Sequence, residues 1–189
     1  MTEDTSKVHT RTITVTTREV DTATLIVEGE LRDDRYCPSF VYTAQKFVEP
    51  GVIHHMVITF EVRLPGPVIQ SATVVMKTVP HELCREAAAV IEKMAGLTIR
   101  PGFTQLTNEL IGGTRGCIHL TNLVHATASA AVQGQWAFYL RQRADSIELP
   151  SFDSSLLVNS CWLWREDGPH LRRVRELEDE HRKKQLKSQ

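Results

Sequence analysis

The apolar residues of this chain change their spacing about halfway along it, from a period of two to a helical period. Every second residue is apolar over 56–64, and a Pro-Gly-Pro turn then leads into a second alternating stretch, 72–76. Two earlier stretches, 11–17 and 23–31, alternate in the same way. Such alternation is typical of strands with one buried face, and a turn between two of them predicts a hairpin. The first half of the chain therefore predicts an antiparallel sheet.

The second half predicts helices. Apolar residues recur at helical spacing over 80–94, where Gly96 provides a stop, over 104–111, which Gly112 ends, and over 118–144. The stripes are Leu83, Ala87, Val90, Ile91 and Met94 in the first helix, and Leu120, Leu123, Val124, Thr127, Ala131 and Phe138 in the last. We expect an α+β fold, in which an antiparallel β-sheet from the N-terminal half packs against helices from the C-terminal half.

A length of 189 residues suits one domain. We expect a single α+β domain over 1–170 and a charged helix or tail over 171–189. Charged residues and a proline at 33–38 interrupt the strand pattern. They predict a poorly ordered or functional connection that runs to Gly51. The segment 126–131 carries only small side chains, which favours tight packing on the sheet over the close approach of a ligand.

Charge and composition exclude several classes of partner. Lys and Arg number 22 and Asp and Glu 23, so the net charge of -1 leaves no overall basic surface for nucleic acid. No run of about 18 apolar residues is present, and the polar N-terminus lacks a signal-peptide core, so we expect no membrane partner and a cytoplasmic location. The four cysteines are then reduced thiols and candidate metal ligands. Exposed sheet edges and a terminal helix are compatible with a homo-oligomer.

The most informative string for chemistry is Gly112-Gly-Thr-Arg-Gly-Cys-Ile-His-Leu120. It places Cys117 just before a long helix, where the helix dipole and unpaired amides favour the thiolate that binds metals or attacks electrophiles. His119 follows two residues later, and on a regular helix the two side chains would diverge. They converge on one ion only if Cys117 lies in the glycine-rich segment that precedes the helix.

Two further residues complete a candidate metal set. His54 shares its strand parity with the apolar side chains that follow it and so faces the core, and Cys84 lies in the first turn of the first helix. A buried imidazole needs a partner, and nitrogen and sulfur donors are those that zinc or iron accepts. The alternative is that the cysteines are structural and the histidines are hydrogen-bonded in the core. The predicted metal ligands are His54, Cys84, Cys117 and His119.

The predicted catalytic residues are Cys117, His119, Arg115 and Asp34. Arg115, in the glycine-rich segment, is a candidate for binding a substrate carboxylate in bidentate fashion. Asp34 and its neighbour Asp33 are candidates for a general base or an extra oxygen ligand of the metal. The alternatives are an arginine on a solvated loop and the turn chemistry that an Asp pair often provides.

Several short motifs follow one another in a characteristic order, and the most specific of them is Gly116-Cys-Ile-His-Leu120. With these motifs the chain resembles an uncharacterised bacterial family, domain of unknown function 2889, over about residues 10–170. Because the family carries no assigned activity, the resemblance supports the predicted Cys/His site more than any particular reaction. The roles of His55 and Cys161 stay open. The other motifs are Gly29-Glu-Leu31 with Asp33 or Asp34, Ile53-His-His-Met56, Val79-Pro80 leading to Cys84, Gly96-Leu97 with Pro101-Gly-Phe103, Gly112-Gly113, and Cys161 before Asp167-Gly168.

We therefore expect a small cytoplasmic metal-dependent enzyme with a divalent zinc or iron ion. Its partner would be a small organic molecule, changed by hydrolysis, hydration or carbon–carbon lyase chemistry. One alternative is a non-catalytic module that binds a ligand or a protein and keeps its cysteines as structural residues. The other is a thiol redox protein or a sulfur carrier centred on Cys117, which is similar in layout to iron–sulfur scaffold proteins.

Overall fold

The computed structural model describes residues 6–142, 154 and 157–187. The strands of the described residues are β1 His9–Asp21, β2 Thr24–Arg35, β3 Ser39–Val41, β4 Lys46–Val48, β5 Gly51–Arg63 and β6 Val68–Thr78. The four long strands form one antiparallel sheet in the order β1-β2-β5-β6. The connection between β2 and β5 forms a separate two-stranded hairpin, β3 and β4, where a poorly ordered or functional connection was expected.

Helices cover one face of the sheet, which confirms the predicted α+β fold. A 3-10 helix, Glu82–Met94, follows the last strand, and three α-helices come after it: α1 Phe103–Ile111, α2 Ile118–Gln142 and α3 Pro169–Lys187. Residues 143–144, the predicted end of the long helix, lie outside the described part of the chain. Among the described residues, no helix combines the length and the apolar character needed to cross a membrane.

The helix predicted over 80–94 is wound more tightly than its apolar stripe implied. A stripe drawn at 3.6 residues per turn includes Leu83, but Leu83 is exposed while Ile91 and Met94 are buried. A 3-10 helix has three residues per turn, so residues three apart lie above one another and a different set faces the core. The prediction of a helix was correct, but the prediction that Leu83 is buried was wrong.

The core lies between the inner face of the sheet and α2. The whole predicted stripe of α2 is buried, as are alternate residues of β2 and β5. The helix approaches the sheet very closely, because a Cβ atom added at Gly29 of β2 would lie 2.1 Å from Thr127 Oγ1 of α2. Thr127, Ala128 and Ala131 of the small-sided segment are buried in this packing, as predicted for part of 126–131. This close packing fixes the start of α2 over the ends of β2 and β5.

The charged C-terminal segment begins with an anchored helix. Leu171, in the first turn of α3, is fully buried, whereas most of the other described side chains of α3 are exposed. Glu178 accepts hydrogen bonds from the backbone N–H of Ser154 at 3.0 Å and from its hydroxyl at 3.2 Å. The Glu178 carboxylate thus ties the helix to the preceding segment.

Candidate metal centre

A row of three polar side chains crosses the inner face of the sheet at one end. Asp33 of β2 is in register with Arg11 of β1 on one side and with His54 of β5 on the other. Asp33 continues the parity of the buried Leu31, and His54 that of the buried Met56. The same alternation that builds the core therefore aims these polar groups into the protein.

Asp33 is the centre of this row and is only 1% exposed. Arg11 donates Nε–H to Oδ1 at 2.7 Å and Nη2–H to Oδ2 at 2.8 Å, while His54 Nδ1 lies 2.8 Å from Oδ2 and His9 Nε2 3.3 Å from Oδ1. Burial, the largest single influence, raises the pKa of Asp33, but the hydrogen bonds and charges of Arg11 and His54 together outweigh it. They lower the pKa to about 2. Asp33 is therefore a buried, ionised carboxylate.

His119 joins the cluster from the first turn of α2. Its ring stacks on that of His54, with centroids 3.8 Å apart and planes at 29°. Its Nε2 lies 3.7 Å from Asp33 Oδ2, and its Nδ1 lies 3.6 Å from Cys117 Sγ. Burial lowers the pKa of His119, and the charges of His54 and Arg11 act in the same direction against that of Asp33. The neutral imidazole that results is the form that binds metals.

The side chains of Cys117 and His119 converge because only one of them lies on the helix. The helix begins at Ile118, so Cys117 belongs to the glycine-rich segment before it. This segment passes so close to the end of α1 that a Cβ atom at Gly116 would lie 2.4 Å from the Ile111 carbonyl oxygen. A glycine is therefore required at 116. Cys117 therefore lies in the glycine-rich segment, which is the condition under which its side chain was expected to converge with that of His119.

Three of these side chains form a group with the chemistry of a metal site. Asp33, His54 and His119 each offer a ligand atom, and these atoms all lie within 4.8 Å of one another. The described residues thus contain a His/Asp cluster that could hold a metal ion. One ligand comes from β2, one from β5 and one from α2. The geometry of the cluster therefore depends on how α2 packs on the sheet.

Of the four predicted metal ligands, His54 and His119 belong to this group, and Cys117 Sγ lies beside His119 Nδ1. Cys84 instead packs against the hydrophobic core from the 3-10 helix. Within the part of the chain that the structure describes, neither Cys117 nor Cys84 supplies a ligand atom to the group that contains Asp33. The oxygen donor of the group is Asp33, one of the two aspartates considered from the sequence.

Two predicted catalytic residues lie away from this group. Arg115 Nη2 donates to the carbonyl oxygen of Asn108 at 3.0 Å, which ties the glycine-rich segment to α1. Asp34 has the opposite strand parity to Asp33 and pairs with Arg32, whose Nε lies 2.9 Å from Asp34 Oδ2. Neither residue makes a described hydrogen bond or ion pair with Asp33, His54 or His119.

The sequence indicated less clearly that Arg11 and His9 belong to the cluster than that Asp33 does. The parity of the buried residues of β2 extends to Asp33 and excludes Asp34, so strand alternation alone could have selected Asp33. Arg11 also shares its parity with Val15, a partly buried residue of β1. However, nothing in the sequence sets the register of β1 against β2, and that register places Arg11 beside Asp33.

The fold and the cluster define an α+β domain with a partly buried His/Asp group at one end of an antiparallel sheet. The model of a family described as proteins of unknown function, DUF2889, matches residues 9–133, and the chain belongs to this family. The resemblance seen in the sequence is thus confirmed, and the match includes every residue of the cluster. Searches of curated proteins and of solved structures find no significant match.

Proposed function

We propose that Asp33, His54 and His119 bind a divalent metal ion with Cys117 as a further ligand, and that the protein is a metal-dependent enzyme. The observation that carries this proposal is the group of one carboxylate and two imidazole donors within 4.8 Å of one another. Two nitrogens and one oxygen, with a nearby thiol, are a donor set for zinc or iron. A cytoplasmic location would keep the Cys117 thiol reduced.

The residues around the cluster prepare it for a cation. Arg11 keeps Asp33 ionised through its hydrogen bonds and charge, and burial keeps His119 neutral, which are the protonation states that ligation requires of these two residues. Arg11 also fixes the plane of the carboxylate through two hydrogen bonds, so that its orientation does not depend on the metal. A bound ion would act as a Lewis acid or activate water. We propose a small organic molecule as the substrate, changed by hydrolysis, hydration or carbon–carbon lyase chemistry.

Elemental analysis of the full chain, purified without an affinity tag, tests the metal site. We expect about one equivalent of zinc or iron in the wild type and in His55→Ala, and less than about 0.1 equivalent in His54→Ala and His119→Ala. His55→Ala is a matched control because His55 is the next residue on the same strand and contacts Glu30 on the other face. A wild-type protein that holds less than about 0.1 equivalent after incubation with each metal would contradict the proposal.

A second candidate function is thiol chemistry at Cys117. It is favoured by the order of groups, since Cys117 Sγ lies 3.6 Å from His119 Nδ1 and His119 Nε2 lies 3.7 Å from Asp33 Oδ2. A thiol, an imidazole and a carboxylate in this order can activate a nucleophile. The rate of Cys117 alkylation after treatment with a chelator separates the two candidates. The thiol function fails if Cys117 reacts no faster than a small-molecule thiol at neutral pH.

A further inference from the structure

A cavity lies beside α2, on residues that do not form its sheet-facing stripe. Its volume is about 500 Å³, within the range of pockets that hold small molecules. The residues of α2 that line it include Ala128 and Ser129, so part of the small-sided segment borders open space as well as the core. None of Asp33, His54, Cys117 and His119 lines this cavity.

The walls of the cavity combine apolar and aromatic side chains with polar ones. Phe103 at the start of α1 and Val132 of α2 form part of the inner wall, and Leu157 and Trp164 come from the segment before α3. An aromatic ring gains most from such a lining, since ring-on-ring contacts add to the burial of apolar area. Phe103, Trp164 and the aliphatic residues of the lining therefore favour an aromatic ring in the bound molecule.

The described residues that line the cavity carry only positive charge. Arg100 is the single formally charged side chain among the described residues that line the cavity, and it is exposed at their edge. His125 adds no charge of its own at neutral pH, because burial lowers its pKa, although a hydrogen bond to the Thr104 backbone opposes this. His125 Nε2 is also buried without a hydrogen-bond partner among the described residues. A guanidinium at the edge of an apolar pocket is suited to a carboxylate.

The outer wall is a compact turn that is joined to α3. The Asn159 N–H donates to the Trp164 carbonyl oxygen at 2.9 Å, and the Ser160 N–H donates to that of Leu157 at 2.9 Å. The Trp164 ring meets His170 of α3 edge-on, with centroids 4.7 Å apart. This wall lies beyond residue 133, where the family match ends. The cavity is therefore partly built by a segment that membership of the family does not describe.

We propose that this cavity binds a small aromatic carboxylate, with its ring against Phe103 and Trp164 and its carboxylate on Arg100. The aromatic and aliphatic part of the lining accounts for the ring, and Arg100, the single formally charged side chain among the described lining residues, accounts for the anion. The site is separate from the proposed metal centre, so binding here does not require metal.

Ligand-detected NMR titration of the full chain with benzoate tests the proposal, with benzyl alcohol as the uncharged analogue. We expect saturable benzoate binding that Ser129→Phe, which fills the cavity from an exposed position, and Arg100→Gln each weaken by about tenfold or more. Arg63→Gln, an exposed arginine at the end of β5, is the matched control and should bind as the wild type does. Benzyl alcohol should bind at least about tenfold more weakly than benzoate.

The proposal is overturned if the wild type shows no saturable binding up to about 10 mM benzoate, or if Ser129→Phe binds benzoate unchanged. Equal binding of benzyl alcohol, or unchanged binding by Arg100→Gln, overturns the assignment of the carboxylate to Arg100. Metal content measured on the same samples reports separately on the site at Asp33, so failure of one proposal is distinguishable from failure of the other.

Discussion

Two histidine–carboxylate pairs lie on opposite faces of the same two strands. On the inner face, His54 Nδ1 is 2.8 Å from Asp33 Oδ2, and on the outer face His55 Nε2 is 2.6 Å from Glu30 Oε1. The pairs are alike in chemistry and in separation. They differ in exposure, since the carboxylate is 1% exposed in the inner pair and 45% exposed in the outer pair.

The neighbours of each pair differ as well. Arg11 and a second imidazole, His119, surround the inner carboxylate, whereas Lys77 Nζ lies 3.4 Å from the outer one and competes for the same oxygen. Water and salt screen the outer charges, while the inner charges interact through the protein. A short histidine–carboxylate distance therefore does not by itself mark a functional site. Asp33 differs from Glu30 because it is buried and because His119 offers a third potential metal ligand beside Asp33 and His54.

The largest difference between the pairs should appear in stability when each carboxylate becomes an amide. We expect Asp33→Asn to lower the free energy of unfolding by about 3 kcal/mol, because it leaves Arg11 and His54 without their buried anion. Glu30→Gln should lower it by less than about 1 kcal/mol. Urea unfolding at pH 7 with a chelator present measures both changes without a contribution from metal. Equal losses in the two variants would remove the distinction between the pairs.

A smaller effect should appear in the dependence of stability on pH. The pKa of Asp33 falls from its ordinary value of 3.8 to about 2 on folding. The charged carboxylate therefore stabilises the fold fully above about pH 4, and this contribution, about 2 kcal/mol, is lost as the pH falls through 2. The difference in unfolding free energy between wild type and Asp33→Asn should shrink over that window. A difference that stays constant from pH 5 to pH 2 would show that Asp33 has an ordinary pKa.

The fold was predicted well because the apolar residues that alternate in the strands, and most of those that recur at helical spacing, are the residues that become buried. The strand pattern placed Leu31 and Met56 on the buried face, and the α2 stripe from Leu120 to Phe138 is buried throughout. The tighter winding of 82–94 could not be predicted, because apolar spacing alone does not distinguish three residues per turn from 3.6 over a few turns.

The site was predicted less completely, because it depends on contacts between distant elements. His54 was selected from its strand parity, and Cys117 and His119 were selected from their position at the start of a helix. Asp34 was named as the catalytic aspartate, although the parity of β2 points to Asp33. Arg11 was missed, since only the register of β1 on β2 brings this residue to the carboxylate. Pairwise register is a property of the folded sheet, and a local motif does not encode it.

The smallest predicted effect is the coupling within the outer pair. A double-mutant cycle of His55→Ala and Glu30→Gln should give a coupling free energy of no more than about 1 kcal/mol at low salt, because an exposed pair gains little from its charges. This coupling should fall by about half or more when the salt concentration is raised to about 1 M, where charges are screened within about 3 Å. The same cycle on His54→Ala and Asp33→Asn, measured with a chelator, should give a larger and less salt-sensitive coupling, because Asp33 is buried. If the two couplings have the same size and the same salt dependence, then burial does not distinguish the pairs, and the case for a prepared site at Asp33 rests on His119 and Cys117 alone.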